Sequence, residues 1–465
     1  MTVPSWIHDS IFYQIFPDRF ANGDETNDPS NVLEWNTPPR IHGFHGGDLK
    51  GILQHLDYLL DLGINAIYLN PIFLSPSTHR YNTVDYYQID PRLGSMADFK
   101  NLIDTIHRNG MHLILDGVFN HTGRGFFAFS DILENQEHSA YRDWYTVQHF
   151  PVDAFSPGDA ADYLGWWKFK SLPKLNTGNP RVRKYIMDVA RYWLEQGSDG
   201  WRLDVPNEIN DDGFWAEFRQ VVKSANPEAY LVGEIWEADP RWVGEGHFDG
   251  LMNYPLREAI INFVGQKVTG REAADRLQGL LSLYPIENEH AMYNLLGSHD
   301  VDRVWNMLGG DLNRLKLAYL TLFSLPGIPA LYYGDEIGIT GGRDPDCRKA
   351  FAWQPEAWNK ELREWIKKLI AIRKSQDALK RGEYRRLYED DRFQAFMRVW
   401  NDQRVIVGLN ASREMREFKL DMASFGIPAG SNWCDLLGNG TSRVEDDQLI
   451  IRLQPISGSL YQVCP

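Results

Sequence analysis

HLILDGVFNH, residues 112–121, joins an apolar run to a glycine and a group of polar residues. A short apolar run that ends in such a loop is typical of a strand buried on both faces, as in a parallel sheet. Runs of the same kind recur along the chain, each followed by a loop and an amphipathic stretch. We therefore predict eight strands, at residues 11–16, 64–70, 112–118, 200–205, 230–236, 248–253, 292–296 and 328–333.

The segments between these strands have the apolar spacing of helices. Residues 98–109, for example, carry apolar side chains at helical intervals, and Gly110 follows as a stop signal. Strands that alternate with helices form parallel βαβ units, and eight such units favour a closed (β/α)8 barrel. The predicted fold class is therefore α/β.

Two parts of the chain depart from this alternation. A long segment rich in Pro, Gly, Trp and Phe separates the third strand from the fourth. Near the C-terminus, runs such as FQAFMRVW and RVIVGLN alternate with polar turns, which indicates antiparallel strands. We predict a barrel domain at residues 1–120 and 179–383, an inserted subdomain at 121–178 and a C-terminal β-sandwich domain at 384–465.

Charge and cysteine content narrow the class of protein. The 465 residues contain 48 Lys and Arg against 63 Asp and Glu, a net charge of −15, which disfavours a nucleic-acid partner. The sequence contains no run of about 18 apolar residues and no signal-like N-terminus, so we expect no membrane association. The three cysteines lie far apart, which indicates neither a disulfide framework nor a thiolate zinc site. Together these features predict a cytoplasmic protein.

Three carboxylates follow predicted strands. Asp204 ends the fourth strand, Glu234 lies at the end of the fifth, and Asp300 follows the seventh. The carboxyl ends of barrel strands meet at one mouth, so barrel closure would bring these side chains together. A single Asp at such a position often serves as a helix cap or a salt-bridge partner. Arg202, however, shares a strand face with Asp204 and would hold that carboxylate ionised.

Such a cluster of carboxylates suits cleavage of a glycosidic bond with retention of configuration. One carboxylate attacks the sugar while a protonated carboxyl donates to the leaving oxygen, the two groups lying about 5 Å apart. A third carboxylate stabilises the oxocarbenium-like transition state. Crowded negative charge also helps to keep the acid protonated near neutral pH.

Four motifs occur in order along the predicted barrel: DGVFNH at 116–121, GWRLDVPNE at 200–208, GEIW at 233–236 and LLGSHD at 295–300. They resemble the signatures of the α-amylase family, glycoside hydrolase family 13. The resemblance implies that Asp204 is the nucleophile, Glu234 the general acid/base and Asp300 the transition-state stabiliser. It also implies a subsite for the cleaved glucose, made by Tyr81 as a stacking platform together with His121, Arg202 and His299.

Two further motifs, LPKLN at 172–176 and DPDCRKAFAW at 344–353, resemble the cyclomaltodextrinase, maltogenic amylase and neopullulanase subfamily. Enzymes of this subfamily cut α-glucosidic bonds. The resemblance implies that Asp344 and Arg348 contact sugars on the non-reducing side of the cleavage point, with Asn207 and Glu208 on the other side. An internal salt bridge is the alternative interpretation of the Asp344 loop.

The chain departs from that subfamily in two ways. Members usually carry an additional N-terminal β domain, whereas the barrel here begins almost at Trp6. This puts the usual dimer and the preference for small cyclodextrins in doubt and leaves room for long or branched chains. The nearest analogy is to members without that domain, which debranch α-1,6 linkages. In addition, Pro206 stands where Ala is commoner, and it could reshape the following loop.

Oxygen-bearing residues also cluster near the N-terminus. Hard oxygen ligands suit calcium, which takes six to eight of them. An Asx-rich turn that satisfies its own backbone is the alternative. The pattern resembles a calcium site of the subfamily, so we expect structural calcium and no organic cofactor. The candidate ligands are Asn22, Asp24, Asn27, Asp28, Asp48 and the carbonyl of Gly46.

These features predict a retaining hydrolase of branched or long α-glucans, with α-1,6 debranching favoured over α-1,4 cleavage of the neopullulanase type. Transglycosylation is an alternative, because a sugar hydroxyl can replace water in the second step. Trp166, Trp167 and Trp236 are candidate acceptor-site aromatics. A carbohydrate-binding homologue without activity is the third hypothesis. The expected substrate is an α-glucan, and a second copy of the chain, forming a homodimer, is the other candidate partner.

Overall fold

The computed structural model describes residues 3–438 and 440–464, so the predicted domain ends at residues 1–2 and 465 lie outside it. Eight parallel strands form a barrel, which confirms the α/β fold class. Two more strands, β3 and β4, form a hairpin. The first ten strands are β1 (Phe12–Ile15), β2 (Ala66–Leu69), β3 (Phe73–Leu74), β4 (Asp85–Ile89), β5 (His112–Gly117), β6 (Gly200–Leu203), β7 (Tyr230–Gly233), β8 (Gly250–Leu251), β9 (Tyr293–Leu295) and β10 (Ile328–Tyr332).

The barrel sheet has the order β8-β7-β6-β5-β2-β1-β10-β9, and a parallel bridge between Met252 and Tyr293 closes it. Helices cover parallel strands from outside, which is why the strands read as continuous apolar runs. Several strands end before their predicted limits. Strand β7 stops at Gly233, so Glu234 lies in the loop at the barrel mouth.

Helix α4 (Met96–Arg108) shows how local sequence sets an element's bounds. It begins two residues before the predicted start, because Ser95 and Asp98 form a capping box there. Gly110, with φ +67°, lies just beyond its end. The helices are α1 (Pro17–Phe20), α2 (Leu49–Gln54), α3 (Leu56–Leu62), α4 (Met96–Arg108), α5 (Phe127–Asn135), α6 (Pro180–Glu195), α7 (Asp212–Ala225), α8 (Tyr254–Val264), α9 (Gly270–Leu281), α10 (Ile286–Glu289), α11 (Val304–Met307), α12 (Leu312–Ser324), α13 (Lys360–Ser375) and α14 (Asp377–Arg381). Within the described ranges, none of these helices combines the length and the apolar character that crossing a bilayer requires.

The long segment between β5 and α6 contains α5, several single 3₁₀ turns and isolated bridges in place of a sheet. Its two ends are joined where His121 pairs with Lys174. Tyr145 pairs with Leu175 beside that bridge. The segment therefore returns to the barrel mouth close to where it leaves. The hairpin of β3 and β4, which the sequence patterns did not predict, lies between β2 and α4.

The C-terminal part forms a separate antiparallel sheet of eight strands in the described residues, ordered β11-β12-β13-β18-β15-β16-β17-β14. The sheet folds over an apolar core, in which Phe418 of the last strand in this order stacks on Phe393 of the second. This confirms the predicted β-rich C-terminal fold. Its strands are β11 (Glu383–Glu389), β12 (Phe393–Trp400), β13 (Gln403–Asn410), β14 (Arg416–Asp421), β15 (Asn432–Asp435), β16 (Thr441–Glu445), β17 (Gln448–Leu453) and β18 (Ser457–Val463).

One sequence interpretation was wrong. Cys434 and Cys464 form a disulfide, with their Cα atoms 5.1 Å apart, whereas Cys347 is a buried free thiol. The two paired cysteines are 30 residues apart along the chain. Strand β15 lies beside β18, however, and the residues next to the cysteines, Trp433 and Val463, are direct neighbours across this pair. Strand pairing thus creates a proximity that cysteine spacing does not reveal.

Candidate active site

Arg202 lies at the centre of the carboxylate cluster. It points inward from β6 and is almost completely buried. Its Nη1 lies 2.9 Å from Asp116 Oδ1 and 3.0 Å from Asp204 Oδ1, and its Nη2 lies 2.9 Å from Glu234 Oε2. One guanidinium therefore joins carboxylates from the ends of three neighbouring strands: Asp204 and Glu234, which were predicted to meet, and Asp116 in place of Asp300.

The loop after β6 fixes Glu234 from a second direction. Val205 has φ +36°, which is an unfavourable backbone conformation for a β-branched residue. In this conformation its N–H donates to Glu234 Oε2 at 3.0 Å. Trp236 Nε1 donates to the other oxygen, Oε1, at 3.2 Å. Pro206 follows directly and starts a short 3₁₀ turn, so the unusual proline lies in the turn that positions the acid.

Asp204 is held through one oxygen only. Its Oδ1 accepts from Arg202, whereas Oδ2 makes no hydrogen bond to the part of the chain that the structure describes. Burial raises the pKa of Asp204 well above its usual value; the charge of Arg202 opposes this rise, and the charge of Glu234 adds to it. Arg202 therefore favours the ionised form of Asp204, whose Oδ2 has no hydrogen-bond partner among the described residues.

Asp300 follows β9 on a turn in which Ser298 Oγ accepts from the Asp300 N–H at 3.2 Å. Its carboxylate lies 3.1 Å from His299 Nε2 and 3.4 Å from Arg348 Nη2. The side chain is 28% exposed, so it lies nearer to the cleft opening than the side chain of Asp204, which is 8% exposed. Loss of solvation and then the charge of Glu234 raise the pKa of Asp300 to about 7.

A buried hydrogen-bond network fixes the predicted stacking platform. Tyr81 Oη donates to Asp116 Oδ2 at 2.8 Å and accepts from His299 Nε2 at 2.6 Å. The other ring nitrogen of His299 accepts from Gln14 Nε2 at 2.9 Å. The rings of Tyr81 and His299 are nearly parallel, at 4° with centroids 5.4 Å apart. Tyr81 is therefore held in one orientation before any sugar binds.

His121 is fully buried, and both of its ring nitrogens already have protein partners. Its Nε2 donates to the Tyr81 carbonyl at 3.0 Å, and its Nδ1 accepts from Asn120 Nδ2 at 3.1 Å. Burial lowers the pKa of His121 to about 4 and that of His299 well below its usual value, so both rings are neutral. A sugar hydroxyl would have to compete with these partners for the histidine N–H groups.

The remaining predicted sugar contacts surround the same mouth. Arg348 Nε donates to the His299 carbonyl at 2.9 Å, and its Nη1 lies 3.0 Å from Asp344 Oδ1. The Asp344 loop thus contains the internal salt bridge that was the alternative interpretation, and this bridge also reaches the site. Glu208 pairs with Lys174 at 3.2 Å, and Asn207 beside it is exposed.

Most of the chain resembles a known protein family. Residues 14–377 match the family model described as the catalytic domain of α-amylase. The chain belongs to the α-amylase family. The Arg202-centred cluster and the inserted segment after β5 both lie inside the matched α-amylase region.

Relatives within the α-amylase family match nearly the whole chain. A cyclomaltodextrinase of Geobacillus thermopakistaniensis strain MAS1 is 43% identical over 99% of this chain and 78% of its own. The solved cyclic α-maltosyl-(1→6)-maltose hydrolase from Arthrobacter globiformis is 39% identical, with a TM-score of 0.91 and all of both chains covered. The solved debranching enzyme from Nostoc punctiforme is 40% identical, with a TM-score of 0.89 and 99% of both chains covered.

Sequence reasoning missed two polar side chains of this α-amylase site. Gln14 lies in the otherwise apolar run FYQI of β1 and orients His299. Tyr68 lies in AIYL of β2, and its Oη donates to Asp116 Oδ2 at 2.5 Å. The available signal was a polar group inside a strand that is buried on both faces, because such a group needs a partner in the barrel interior.

The predicted calcium ligands mostly converge. Asn22 Nδ2 lies 2.9 Å from Asp28 Oδ2, and Asn27 Nδ2 lies 3.1 Å from Asp48 Oδ2. A Cβ at Gly46, whose φ is +83°, would overlap the side chains of Asn22 and Asp28. The buried Asn27 Oδ1 has no hydrogen-bond partner among the described residues. An oxygen-rich pocket with an unpaired oxygen fits a hard cation.

Asp24 differs from the other predicted ligands. Lys50 Nζ lies 2.5 Å from Asp24 Oδ2, and Thr26 donates to Oδ1. Its carboxylate is therefore turned toward a lysine and away from the oxygen cluster. Across the described ranges, no group of three or more His, Cys, Asp or Glu side chains is arranged to hold a metal. A cation here would depend on amide and carbonyl oxygens beside the two carboxylates Asp28 and Asp48.

Proposed function

We propose that the chain is a retaining α-glucan hydrolase. The observation that supports this most directly is the Arg202 guanidinium, which contacts both Asp204 and Glu234. In the first step, Glu234 protonates the leaving glycosidic oxygen while Asp204 Oδ2 attacks the anomeric carbon, forming a glycosyl-enzyme ester. In the second step, Glu234 accepts a proton from water, which attacks that carbon and releases Asp204 as a carboxylate. Two inversions give net retention.

The geometry favours this route over single-step inversion. Inverting enzymes separate their two carboxyl groups by about 6.5–9.5 Å to leave room for a water molecule, whereas retaining enzymes hold them about 5 Å apart. Contact of both groups with a single guanidinium favours the shorter distance. Asp300, whose carboxylate lies 3.1 Å from His299 Nε2, would stabilise positive charge on the sugar ring.

For the linkage, we propose α-1,6 bonds at branch points as the preferred target. This is supported by end-to-end similarity to a debranching enzyme and to a hydrolase of cyclic α-maltosyl-(1→6)-maltose. Cleavage of α-1,4 bonds is the second candidate, supported by the 43% identity to a cyclomaltodextrinase. Both reactions use the same acids, and transglycosylation differs only in the acceptor of the second step.

The chain-length profile of products released from amylopectin tests the linkage. We expect linear chains of many glucose units, with no smaller products from linear maltodextrin. Maltose, glucose or panose-like fragments would instead establish α-1,4 cleavage. Products longer than the donor at high substrate concentration would indicate transglycosylation, and Asp204→Asn serves as the blank.

We also propose that calcium binds the oxygen cluster of Asn22, Asn27, Asp28, Gly46 and Asp48. Burial raises the pKa of both Asp28 and Asp48, and a cation would offset the cost of ionising them there. Removing calcium with EGTA should lower the melting temperature, because a ligand at 100 times its dissociation constant contributes about 2.7 kcal/mol of stability. Differential scanning fluorimetry with and without EGTA measures this.

Two variants make the calcium experiment specific. Asp28→Asn removes a proposed ligand charge, so its melting temperature should no longer respond to EGTA. Asp24→Asn changes a carboxylate that is engaged by Lys50, so its response should match that of the parent protein. A parent protein whose melting temperature ignores EGTA would rule out a stabilising calcium ion.

Location and assembly remain proposals as well. The low cysteine content supports a cytoplasmic protein, whereas a disulfide such as Cys434–Cys464 is rare in reducing compartments. Labelling thiols in the freshly extracted, unfolded protein distinguishes a reducing from an oxidising location. A cytoplasmic chain would expose three thiols, whereas a chain with the disulfide would expose only Cys347. We propose a homodimer only by resemblance to the subfamily.

A further inference from the structure

A stack of three rings runs from the active site to the surface of the inserted segment. Its inner ring is the buried imidazole of His121, beside Tyr81. Trp166 stacks on His121 with centroids 5.1 Å apart at 12°, and Trp167 stacks on Trp166 with centroids 4.7 Å apart at 17°. The side chain of Trp167 is 71% exposed, so its outer face is open to solvent.

The turn that carries these tryptophans is rigidly held in an unfavourable conformation. Trp167 has φ +46° and Lys168 has φ +64°, in the region that favours glycine. Backbone hydrogen bonds hold the turn, including Trp166 N–H to the Leu172 carbonyl at 2.9 Å and Ala160 N–H to the Lys168 carbonyl at 2.8 Å. Such strain persists only where the surrounding structure maintains it, and it often accompanies function.

Core packing does not account for the position of Trp167. A large aromatic ring with most of its surface in water gains little from burial. The indole ring of its neighbour Trp166 stacks on His121 and Trp167, and its buried Nε1 has no acceptor among the described residues. The turn thus presents an indole to solvent in line with rings that end at Tyr81.

We propose that Trp167 is an outer binding platform for the α-glucan chain, stacking on the apolar CH face of a glucose residue beyond the catalytic centre. This rests on the proposed function. The stack is continuous with the proposed sugar site, and aromatic faces pack well against apolar ring faces. The nearby charges, Lys168 and Asp159, lie within 3.8 Å of each other, which suits a neutral partner. The platform would add affinity for long chains without contacting the reacting bond.

Binding of maltoheptaose to the Asp204→Asn protein, measured by isothermal titration calorimetry, tests the platform without turnover. Adding Trp167→Ala should raise the dissociation constant for maltoheptaose by roughly 3- to 10-fold, as expected from loss of one stacking contact. Trp167→Phe should recover part of this loss. Maltose is the short-chain comparison, and it should bind equally to all three proteins because the platform adds affinity only for long chains.

Phe155→Ala is the matched control. Phe155 is also 71% exposed in the inserted segment, but it packs over Arg124 and does not belong to the stack. It should leave the maltoheptaose affinity at the parent value. If Trp167→Ala leaves the maltoheptaose affinity of the Asp204→Asn protein unchanged, Trp167 is not a binding platform. If it leaves the affinity unchanged but alters the oligomeric state, Trp167 is a subunit contact instead. The proposed function fails separately, if the wild-type protein hydrolyses no α-glucan.

Discussion

The Asp204→Asn variant is expected to hydrolyse amylopectin at least about 10⁴-fold more slowly than the wild type, a loss of more than about 5 kcal/mol of transition-state stabilisation. Asn has the shape of Asp but lacks the anionic oxygen that bonds to the anomeric carbon in the proposed mechanism. We assign that role to Oδ2, because it makes no hydrogen bond to the described residues. Reducing-end release over hours, at high enzyme concentration, measures the residual rate.

A structural control separates lost chemistry from lost folding. Asp249 is also a buried carboxylate between two cations, 2.8 Å from Arg219 and 2.9 Å from Lys223, but it precedes β8 at the opposite end of the barrel. Asp249→Asn should lower the melting temperature while the folded protein keeps its turnover. Near-normal activity of Asp204→Asn would overturn the nucleophile assignment. Activity that Asp204→Asn abolishes would eliminate the hypothesis of a non-catalytic binding protein.

The barrel and its acids could be predicted from the sequence because both depend on local signals. Strand β5 reads as an apolar run, since both its faces are covered, and α4 carries its own capping and stop residues. Asp204 and Glu234 follow directly after their strands. Once eight such units are counted, barrel closure brings the acids together, and no further information is required.

The features that sequence reasoning missed depend on contacts between distant segments. The disulfide requires β15 and β18 to be neighbours, and the orientation of His299 requires Gln14 from the first strand. The positive φ of Val205 was also hidden, because nothing in WRLDVP indicates that the N–H of Val205 must reach Glu234. Sequence patterns therefore predicted which acids meet but did not reveal what holds each of them in place.

Arg202→Met should destabilise the protein and inactivate it together. Removing this cation leaves Asp116, Asp204 and Glu234 buried without their shared partner, and breaking a buried ion pair in this way costs about 3–5 kcal/mol. The folded-state pKa values of Asp116 and Asp204, both of which Arg202 lowers, should rise. A carboxyl whose pKa is higher in the folded than in the unfolded protein stabilises the fold at low pH, and this stability is lost as pH rises. The melting temperature of Arg202→Met should therefore fall further below that of the wild type between about pH 5 and pH 8.

Arg202→Lys provides the comparison that assigns these effects to charge or to geometry. Lysine keeps a cation but cannot contact three carboxylates with one planar group. We therefore expect Arg202→Lys to retain more of the wild-type stability than Arg202→Met does. The fraction of the lost kcat that it recovers should be smaller than the fraction of the lost stability. Because Asp204 must be ionised to attack, any rise in its pKa should move the acid limb of kcat/KM to higher pH, further in Arg202→Met than in Arg202→Lys. If Arg202→Met keeps the wild-type acid limb, Arg202 does not control the charge of Asp204.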